Sequence, residues 1–438
     1  MKVLKFGGTS VGSAQRMKDV AGLICDGEQK IVVLSAMSGT TNSLVEISDY
    51  LYKKNHDGAN EVINRLSVKY ADVINELYST QDYKNKAGEL VTSHLNYIRS
   101  LVKDLFTLFE ERVILAQGEL MSTGMMNLYL NETGVKSVIL PALDYMRTDK
   151  NAEPDTVYIK EKFNHLLTGN PDANIYITQG FICRNAYGEV DNLQRGGSDY
   201  TASLIGAAIQ AEEIQIWTDI DGMHNNDPRI VDNTSPVRYL NFDEAAELAY
   251  FGAKILHPTC ILPAKLNNIP VRLLNTMQPY AAGTTISNEL KKGKIKAVAA
   301  KDNIISIKIK SGRMLLATGF LRKVFEIFET YRTPIDMVTT SEVGVSVTID
   351  KSKHLEEIVN DLKKYGTVTV DKDMVIICVV GDLDWENLGF EARIISALKD
   401  IPVRMISYGG SNYNVSLLVR LSDKKRALQI LSEQLFHS

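Results

Sequence analysis

The sequence is short of cysteine, of long apolar runs and of excess charge. Its 438 residues include four cysteines, and no two of them form a Cys-x-x-Cys pair, which argues against a zinc site or a disulfide framework. The apolar runs have the length of a strand, whereas a membrane-spanning helix needs about 20 apolar residues. Lys and Arg total 49 against 53 Asp and Glu, so the basic excess of nucleic-acid-binding domains is missing. These absences predict a cytoplasmic protein with no membrane segment and no nucleic-acid partner.

The composition that remains is that of a globular protein, with 45% hydrophobic and 23% charged residues. At about 150 residues per domain, the length predicts two to four domains. The chain opens with a strand-like segment, Lys2 to Phe6, followed by glycines and a polar helical stretch. The next segment, Lys30 to Ser35, is the continuous apolar run typical of a strand buried on both faces. This order of elements favours the α/β class.

Strand and helix signals alternate to about residue 285. Residues 44–115 have helical periodicity, and Leu101, Leu105 and Leu108 predict one buried apolar face there. Further strands are predicted at residues 135–141, 174–179, 213–218 and 271–274, and helices at 200–211 and 243–251. We therefore predict one α/β domain over residues 1–290, with a mostly parallel sheet between helices.

The remaining chain contains a weak internal repeat. A basic polar stretch near residue 290 is typical of a domain boundary. Beyond it, the order strand, Gly-Phe, helix, proline, strand, strand occurs twice at an offset of about seventy residues, with Gly319-Phe320 and Gly389-Phe390 in matching positions. We predict a linker and first strand at 291–310, one copy at 311–372 and the other at 373–438. Each copy is too small to bury much alone, so the copies should pack together or against partner chains.

A glycine turn follows the first strand, in the run from Lys5 to Gly12. Such a turn lets backbone N–H groups approach an anion at a helix N-terminus. The spacing resembles a P-loop, but no lysine precedes Ser13, so it is not a Walker A motif. The same residues match the Gly-x-Ser-x-Gly pattern of α/β hydrolases around Ser10. An elbow serine normally follows several strands, which weakens that alternative, and a plain structural turn also remains open.

Four other polar clusters have structural explanations when each is taken alone. Ser198 or Asp199 after two glycines could be a helix N-cap, and a polar loop from Thr218 to Arg229 could be an Asp-Pro turn. Lys254 could be a solvated surface charge. Glu119, next to a glycine at a predicted helix start, could complement the helix dipole.

Taken in order, these motifs resemble aspartate kinases over essentially the whole chain. The similarity rests on Lys-Phe-Gly-Gly-Thr-Ser-Val from Lys5, Gly-Glu-Leu-Met-Ser from Gly118, Arg-Gly-Gly-Ser-Asp-Tyr-Thr-Ala from Arg195, Trp-Thr-Asp from Trp217 and Phe-Gly-Ala-Lys from Phe251. The repeat resembles the tandem ACT domains of that family. The resemblance implies an amino-acid-kinase fold followed by two α+β ACT domains of βαββαβ type. Because no dehydrogenase extension follows, the chain resembles the monofunctional, lysine-sensitive members of the family.

The resemblance implies transfer of phosphate from Mg²⁺-bound ATP to the β-carboxylate of L-aspartate, the first step toward lysine, threonine and methionine. It assigns Lys5, Gly7, Gly8, Asp199 and Lys254 to catalysis. It assigns Thr41, Glu119, Arg195, Gly196 and Ser198 to aspartate. It assigns Lys5, Gly8, Ser10, Thr218, Asp219, His224, Arg229 and Lys254 to the nucleotide. His224 stands where a relative carries tyrosine. Mg²⁺ is expected on phosphates and waters, with no dedicated protein ligands.

The resemblance also implies an effector site in the first ACT copy. Its matching residues are Met314, Phe320, Leu321, Asp336, Ser341 and Glu342. The two acids favour a cationic amino acid such as lysine, whereas the segment Leu316-Ala317-Thr318 departs from the lysine-sensitive pattern and keeps threonine open. Paired ACT domains imply a homodimer, with a tetramer as the alternative.

Three other functions remain as alternatives at this stage. The nearest is a glutamate kinase of the same superfamily. The second is a non-catalytic amino-acid sensor, which would not bind ATP. The third is a serine hydrolase built on Ser10, which would need a histidine partner, and of seven histidines only His257 lies within a strong motif.

Overall fold

The computed structural model describes residues 1–102, 105–193, 196–252, 256–311, 318–351 and 353–436. They group into two compact units, which are described separately. The first comprises residues 1–223 with 256–288, and the second comprises residues 224–252 with the chain from 289 onward. Among the described helices, none combines the length and hydrophobicity that crossing a bilayer requires.

The first unit is built on a mostly parallel sheet. Its strands are β1 (Lys2–Phe6), β2 (Lys30–Leu34), β3 (Ser137–Ile139), β4 (Ile175–Gln179), β7 (Ile214–Thr218), β9 (Val271–Asn275) and β10 (Thr284–Ser287), and β5 (Ile182–Arg184) with β6 (Val190–Asn192) forms a separate hairpin. Within this unit the strand order is β3-β4-β2-β1-β7-β9-β10. Among these described strands, β10 runs antiparallel to its neighbour β9 and the other neighbours pair in parallel. The carboxyl ends of β1, β2, β4 and β7 therefore meet at one edge, where ligands bind in open α/β sheets.

Helices cover this sheet. They are α1 (Ala14–Ile24), α2 (Thr40–Tyr52), α3 (His56–Leu77), α4 (Gln81–Leu101), α5 (Leu108–Glu132), α6 (Ala142–Tyr145), α7 (Thr156–Thr168), α8 (Gly197–Ile209) and α10 (Leu262–Leu266). The core joins β1 and β2 to the first five helices, with Phe6, Leu34, Leu44, Tyr70 and Met121 fully or almost fully buried. The α/β class and the mostly parallel sheet between helices are thus confirmed.

The predicted apolar face at residues 101–109 is wrong. Leu105 is 82% exposed and Leu108 is 54% exposed. The reason is that α4 ends at Leu101 and α5 begins at Leu108, so these leucines lie in a connection and at a helix start, where no single helical face unites them.

The second unit contains an antiparallel sheet with helices. Its elements are β8 (Tyr239–Asn241), α9 (Phe242–Tyr250), β11 (Ile295–Lys310), α11 (Phe320–Thr330), β12 (Val338–Ser341), β13 (Gly344–Ile349), α12 (Leu355–Leu362), β14 (Thr367–Gly381), α13 (Phe390–Ala397), β15 (Met405–Ser407), β16 (Asn414–Arg420) and α14 (Lys424–Phe436). The sheet order is β12-β13-β11-β14-β16-β15. One core gathers around α11 and α12 and another around α13 and α14. These cores are the two copies of the repeat.

The two copies share their central strands. The first half of β11 pairs with the last part of β14, and the second half of β11 pairs with the first part of β14. Each long strand therefore serves both copies.

The segment 224–252 folds with this second unit. The Val298 amide donates to the Asn225 carbonyl over 2.8 Å, and the Lys296 ammonium lies 2.5 Å from Glu244 Oε2. The Asn226 side chain donates to the Leu428 carbonyl over 3.0 Å. The predicted catalytic domain, residues 1–290, thus contains a segment that packs on the regulatory sheet.

Candidate active site

A buried ion pair stands at the carboxyl edge of the parallel sheet. Lys5 lies near the end of β1, and its Nζ is 2.7 Å from Asp199 Oδ1 in the first turn of α8. The two side chains are only 11% and 14% exposed. An ammonium at this depth next to a helix N-terminus creates a positive site for an anion.

Two glycines set the start of α8 and so the place of Asp199. Gly196 and Gly197 have positive φ values of 64° and 39°, a region that side chains rarely adopt. A Cβ on Gly196 would overlap the Cys260 sulfur and would lie 3.2 Å from the His257 Cβ. Only glycine therefore allows the helix to begin this close to the 257–260 segment.

The glycine turn after β1 is held between neighbouring loops. The Gly7 amide donates to the Trp217 carbonyl over 3.3 Å, and the Ser38 amide donates to the Gly8 carbonyl over 3.0 Å. A Cβ on Gly8 would lie 2.8 Å from the Ala36 oxygen, and one on Gly7 would lie 3.5 Å from Lys5 Nζ. The glycines thus permit tight packing and leave the Lys5 ammonium uncovered on this side.

Ser10 is buried within the glycine turn. Its side chain is fully buried, and its hydroxyl lies 2.7 Å from the Thr276 hydroxyl. Its amide donates to the Gly7 carbonyl over 2.9 Å. The hydroxyl partner is a threonine and not the histidine that a hydrolase needs, so this geometry argues against the serine-hydrolase alternative.

Glu119 is a buried acid in the middle of α5. It is 4% exposed, and its Oε1 accepts a 3.2 Å hydrogen bond from the Ala36 amide, just after β2. Burial raises the pKa of Glu119 to about 8, against the smaller lowering effect of that hydrogen bond. The prediction that Glu119 lies at a helix start is wrong, because α5 begins at Leu108. The helix dipole therefore does not explain this acid.

A chain of hydroxyl groups ties the ends of several elements together. The Ser35 hydroxyl donates to the Ser198 hydroxyl over 2.9 Å, and the Ser122 hydroxyl donates to the Ser35 carbonyl over 2.8 Å. These bonds link β2, α5 and α8 at the same edge as Lys5. Ser198, a predicted aspartate contact, is thus brought to the site but is itself buried.

A cation that the sequence analysis missed, Lys69 of α3, lies at the loop between β2 and α2. Thr41 is exposed in the first turn of α2, whose N-cap Gly39 has a φ of 78°. Lys69 of α3 donates to the Ser38 carbonyl over 2.5 Å, and burial lowers the pKa of its ammonium. Lys69 sits within a helix away from any glycine motif, so no local signal marks it.

The predicted nucleotide residues divide between the two units. Thr218 ends β7 beside β1, and Asp219 follows it as an exposed residue. In the second unit, His224 Nδ1 lies 2.9 Å from the Thr234 hydroxyl. Arg229 forms a two-point ion pair with Asp227, over 2.9 and 2.7 Å.

Three predicted site residues, Arg195, Lys254 and Met314, lie outside the described residues. Within the described ranges, no group of three or more His, Cys, Asp or Glu residues is arranged to hold a metal ion.

One predicted effector residue, Asp336, belongs to a buried charge cluster in the second unit. Asp336 Oδ1 lies 2.6 Å from Lys301 Nζ and accepts a 2.8 Å hydrogen bond from the Tyr250 hydroxyl of α9. Phe320 packs in the core, whereas Leu321, Ser341 and Glu342 are exposed. The structure thus brings Asp336 to Lys301 and Tyr250, two residues that were not predicted.

Comparison with known proteins identifies the family behind this arrangement. Residues 1–275 match the amino acid kinase family, and residues 377–435 match an ACT domain. The chain is 36% identical to aspartokinase 1, chloroplastic, of Arabidopsis thaliana, over 100% of this chain and 80% of that protein. It is 32% identical to lysine-sensitive aspartokinase 3 of Escherichia coli, over 99% of each.

A solved structure agrees in fold. Aspartokinase III of E. coli in complex with aspartate and ADP, in its R-state, superposes with a TM-score of 0.85 at 30% identity over 100% of both chains. These matches confirm the resemblance found in the motifs and the predicted fold. The chain therefore belongs to the amino acid kinase family and, within it, to the aspartokinases.

Proposed function

We propose that this protein transfers the γ-phosphoryl group of ATP to the β-carboxylate of L-aspartate, giving 4-phospho-L-aspartate. The observation that carries the proposal is the Lys5–Asp199 pair beside the glycine turn, at the sheet edge where ligands of α/β folds bind. Family membership supports it, since the E. coli relative at 30% identity was solved with aspartate and ADP.

The reaction needs no strong general base, but it needs positive charge close to the transferring phosphoryl group. A carboxylate is already an oxyanion, so the task is to bring it to a triphosphate and to neutralise the charge of the transferring group. Lys5 and the amides of Gly7 and Gly8 would serve that purpose, with Asp199 holding the Lys5 ammonium in place. Lys254 would contact the phosphates, and Thr218, Asp219, His224 and Arg229 would bind the nucleotide. Ser10 would then contribute through its place in the turn.

Aspartate would be recognised by side chains whose charges are opposite to those of its α-carboxylate and its ammonium group. Arg195 would bind the α-carboxylate of aspartate in two-point fashion, with Thr41, Gly196 and Ser198 beside it. Glu119 would accept the substrate ammonium. Its carboxylate has to lose its proton to do so, and an incoming ammonium favours that loss.

Mg²⁺ would arrive with ATP. Phosphate oxygens and waters would hold the ion, which suits a metal that keeps several waters. Bound there, it would reduce the negative charge of the phosphates.

We further propose feedback inhibition by L-lysine at the first ACT copy, with L-threonine as the alternative effector. The buried Asp336 supports a cationic ligand, and the E. coli relative is named as lysine-sensitive. We propose a homodimer formed through the ACT domains, or a tetramer, the domain boundaries given above, and a cytoplasmic location, which the four free cysteines support.

A coupled ADP-release assay with Mg·ATP and L-aspartate, with and without L-lysine, tests the proposal. Lys5→Met should lower kcat by about 100-fold or more, since it removes the central positive charge. Lys2→Met is the matched control, because Lys2 lies on the same strand but is partly exposed and paired with Glu28. A Lys5→Met enzyme that keeps its turnover would contradict the proposed role of the pair.

The same assay separates the alternatives. Turnover with L-glutamate but not with L-aspartate would point to a glutamate kinase. A folded protein that does not bind ATP would point to an amino-acid sensor.

A further inference from the structure

The charge cluster at Asp336 holds two carboxylates against one ammonium. Lys301 Nζ lies 2.6 Å from Asp336 Oδ1 and 3.1 Å from Asp350 Oδ2. The Asp336 side chain is only 1% exposed. The other oxygens, Asp336 Oδ2 and Asp350 Oδ1, are buried and have no hydrogen-bond partner among the described residues. Buried carboxylate oxygens are costly when unpaired, so the cluster has both the charge and the acceptors for another cation.

The second copy of the repeat carries the same ion pair with the charges exchanged. Arg404 Nε lies 2.9 Å from Asp371 Oδ2. Asp336 and Arg404 each stand two residues after a proline, and their amides donate to the matching strands β13 and β16, at Thr348 and Leu418. The acid that faces Lys301 in the first copy is thus replaced by a guanidinium in the second.

The strand register shows that the partners correspond as well. In the pairing of β11 with β14, Lys301 lies opposite Ile376 and Ser306 lies opposite Asp371. Exchanging the two strands converts one pair of residues into the other, so Lys301 and Asp371 occupy equivalent places. The fold therefore keeps an ion pair at this place in both copies, and only the first copy offers a carboxylate in the loop after the proline.

We propose that Lys301 is a resident cation in the effector site, and that the side-chain ammonium of a cationic amino acid enters the Asp336–Asp350 pair in competition with it. This inference rests on the effector site proposed above and adds Lys301 and Asp350 to it as specificity-determining residues. The second copy, with Arg404 at the matching position, repels a cationic ligand. Lys301 thereby sets how tightly the first copy binds its effector.

Isothermal titration of the full-length protein with L-lysine tests this inference. Lys301→Met should bind L-lysine about tenfold more tightly or better than the unsubstituted protein, because a like charge within a few ångströms of the ligand is removed. Lys308→Met changes the net charge equally at an exposed position on the same strand and should leave the affinity unchanged. L-norleucine, which lacks the side-chain ammonium, should gain nothing from Lys301→Met.

Each possible result either supports or overturns the inference. If Lys301→Met binds L-lysine no better than the unsubstituted protein, the inference is overturned, even where lysine still inhibits and the effector site stands. If the unsubstituted protein binds no lysine but Lys301→Met does, the inference holds. If neither binds lysine, the effector site and this inference both fail. The kinase function is unaffected by any of these results, because turnover with aspartate measures it separately.

A second variant covers the case in which Lys301→Met does not fold. Lys301→Met with Asp350→Asn removes one charge of each sign, so the cluster keeps its net charge. It should bind L-lysine more tightly than Asp350→Asn alone. Equal affinity of these two proteins would overturn the inference.

Discussion

Glu119 is the residue whose environment departs most from its ordinary chemistry. It is 4% exposed within α5 and accepts a hydrogen bond from Ala36. Burial raises its pKa from the usual 4.5 to about 8. At neutral pH the empty site therefore holds mostly the protonated acid. In our proposal the ammonium of aspartate supplies the charge that favours the carboxylate, so the acid becomes charged when the substrate needs it.

This pKa predicts a pH-dependent stability. Because the folded protein binds the Glu119 proton more tightly than the unfolded chain does, this group favours folding at low pH. Its contribution falls as the pH rises from about 4.5 to about 8 and is constant above that. Glu119→Gln should therefore raise the free energy of unfolding by about 2–4 kcal/mol at pH 9 relative to its effect at pH 5. Urea unfolding of both proteins at the two pH values measures the difference.

The exposed Glu89 of α4 provides the control. Glu89→Gln should shift stability little at either pH. A Glu119→Gln effect that is the same at pH 5 and pH 9 would contradict the pKa assigned to this acid.

At the scale of elements, α9 belongs to the first part of the chain by sequence and to the second unit by packing. Its sequence lies within the match to the amino acid kinase family, yet it packs on the regulatory sheet. Tyr250, at its end, donates to Asp336 over 2.8 Å. Burial, with the bond to Asp336, raises the pKa of Tyr250 to about 12, so the phenol stays protonated and remains a donor. The chain then continues toward Lys254, the proposed phosphate contact.

We expect Tyr250→Phe to weaken inhibition without weakening catalysis. The substitution keeps the ring and removes the hydroxyl that donates to Asp336. Activity without effector should stay within about twofold, whereas inhibition at saturating L-lysine should be less complete, since the coupling free energy between the sites falls. Residual activity at saturating lysine is the measurement.

Tyr331→Phe is the matched control for this test. Tyr331 also donates to an aspartate, Asp361, over 2.8 Å in the same unit, but it lies after α11 and away from α9. It should be inhibited as fully as the unsubstituted enzyme. If lysine also inhibits Tyr250→Phe completely, the hydrogen bond between Tyr250 of α9 and Asp336 does not contribute to inhibition.

The strands at the centre of the first sheet were predictable because each is a short segment rich in apolar residues. β1, β2 and β4 fall where the sequence predicts them, and Gly7 and Gly8 mark the edge where the site lies. The side-chain contacts at the site could not be predicted from local sequence patterns. Burial of Glu119 in mid-helix and the approach of Lys69 to Ser38 depend on packing between segments far apart in the chain.

In the second unit, too, local sequence patterns predict the elements but not the long-range contacts. The repeat and its strands follow from local patterns, and β16 (Asn414–Arg420) lies where the repeated order places the last strand of the second copy. The sharing of β11 and β14 between the copies did not follow from local patterns, because these long strands pair with each other throughout while β13 and β16 each pair with only one half of them. The meeting of Lys301 with Asp336 is also long-range, so only the folded chain shows that the acid already has a cation.

At the scale of the whole molecule, residues 224–252 lie within the match to the amino acid kinase family but fold with the second unit. This segment is held on the regulatory sheet by a fully buried acid, Glu244, whose Oε2 lies 2.5 Å from Lys296 Nζ of β11. Oε2 also accepts a 2.7 Å bond from the Asn241 amide, whereas Oε1 is buried without a hydrogen-bond partner among the described residues.

Lys296→Met should destabilise the second unit by about 3–5 kcal/mol, because it leaves a buried carboxylate unpaired. The double variant Glu244→Leu/Lys296→Met should recover most of that loss, since it removes both charges together. Lys364→Met is the control, because its pair with Asp361 is solvent-exposed and should contribute little. Urea unfolding gives all three free energies. A Lys296→Met protein as stable as the Lys364→Met control would mean that this ion pair does not hold the segment on the sheet.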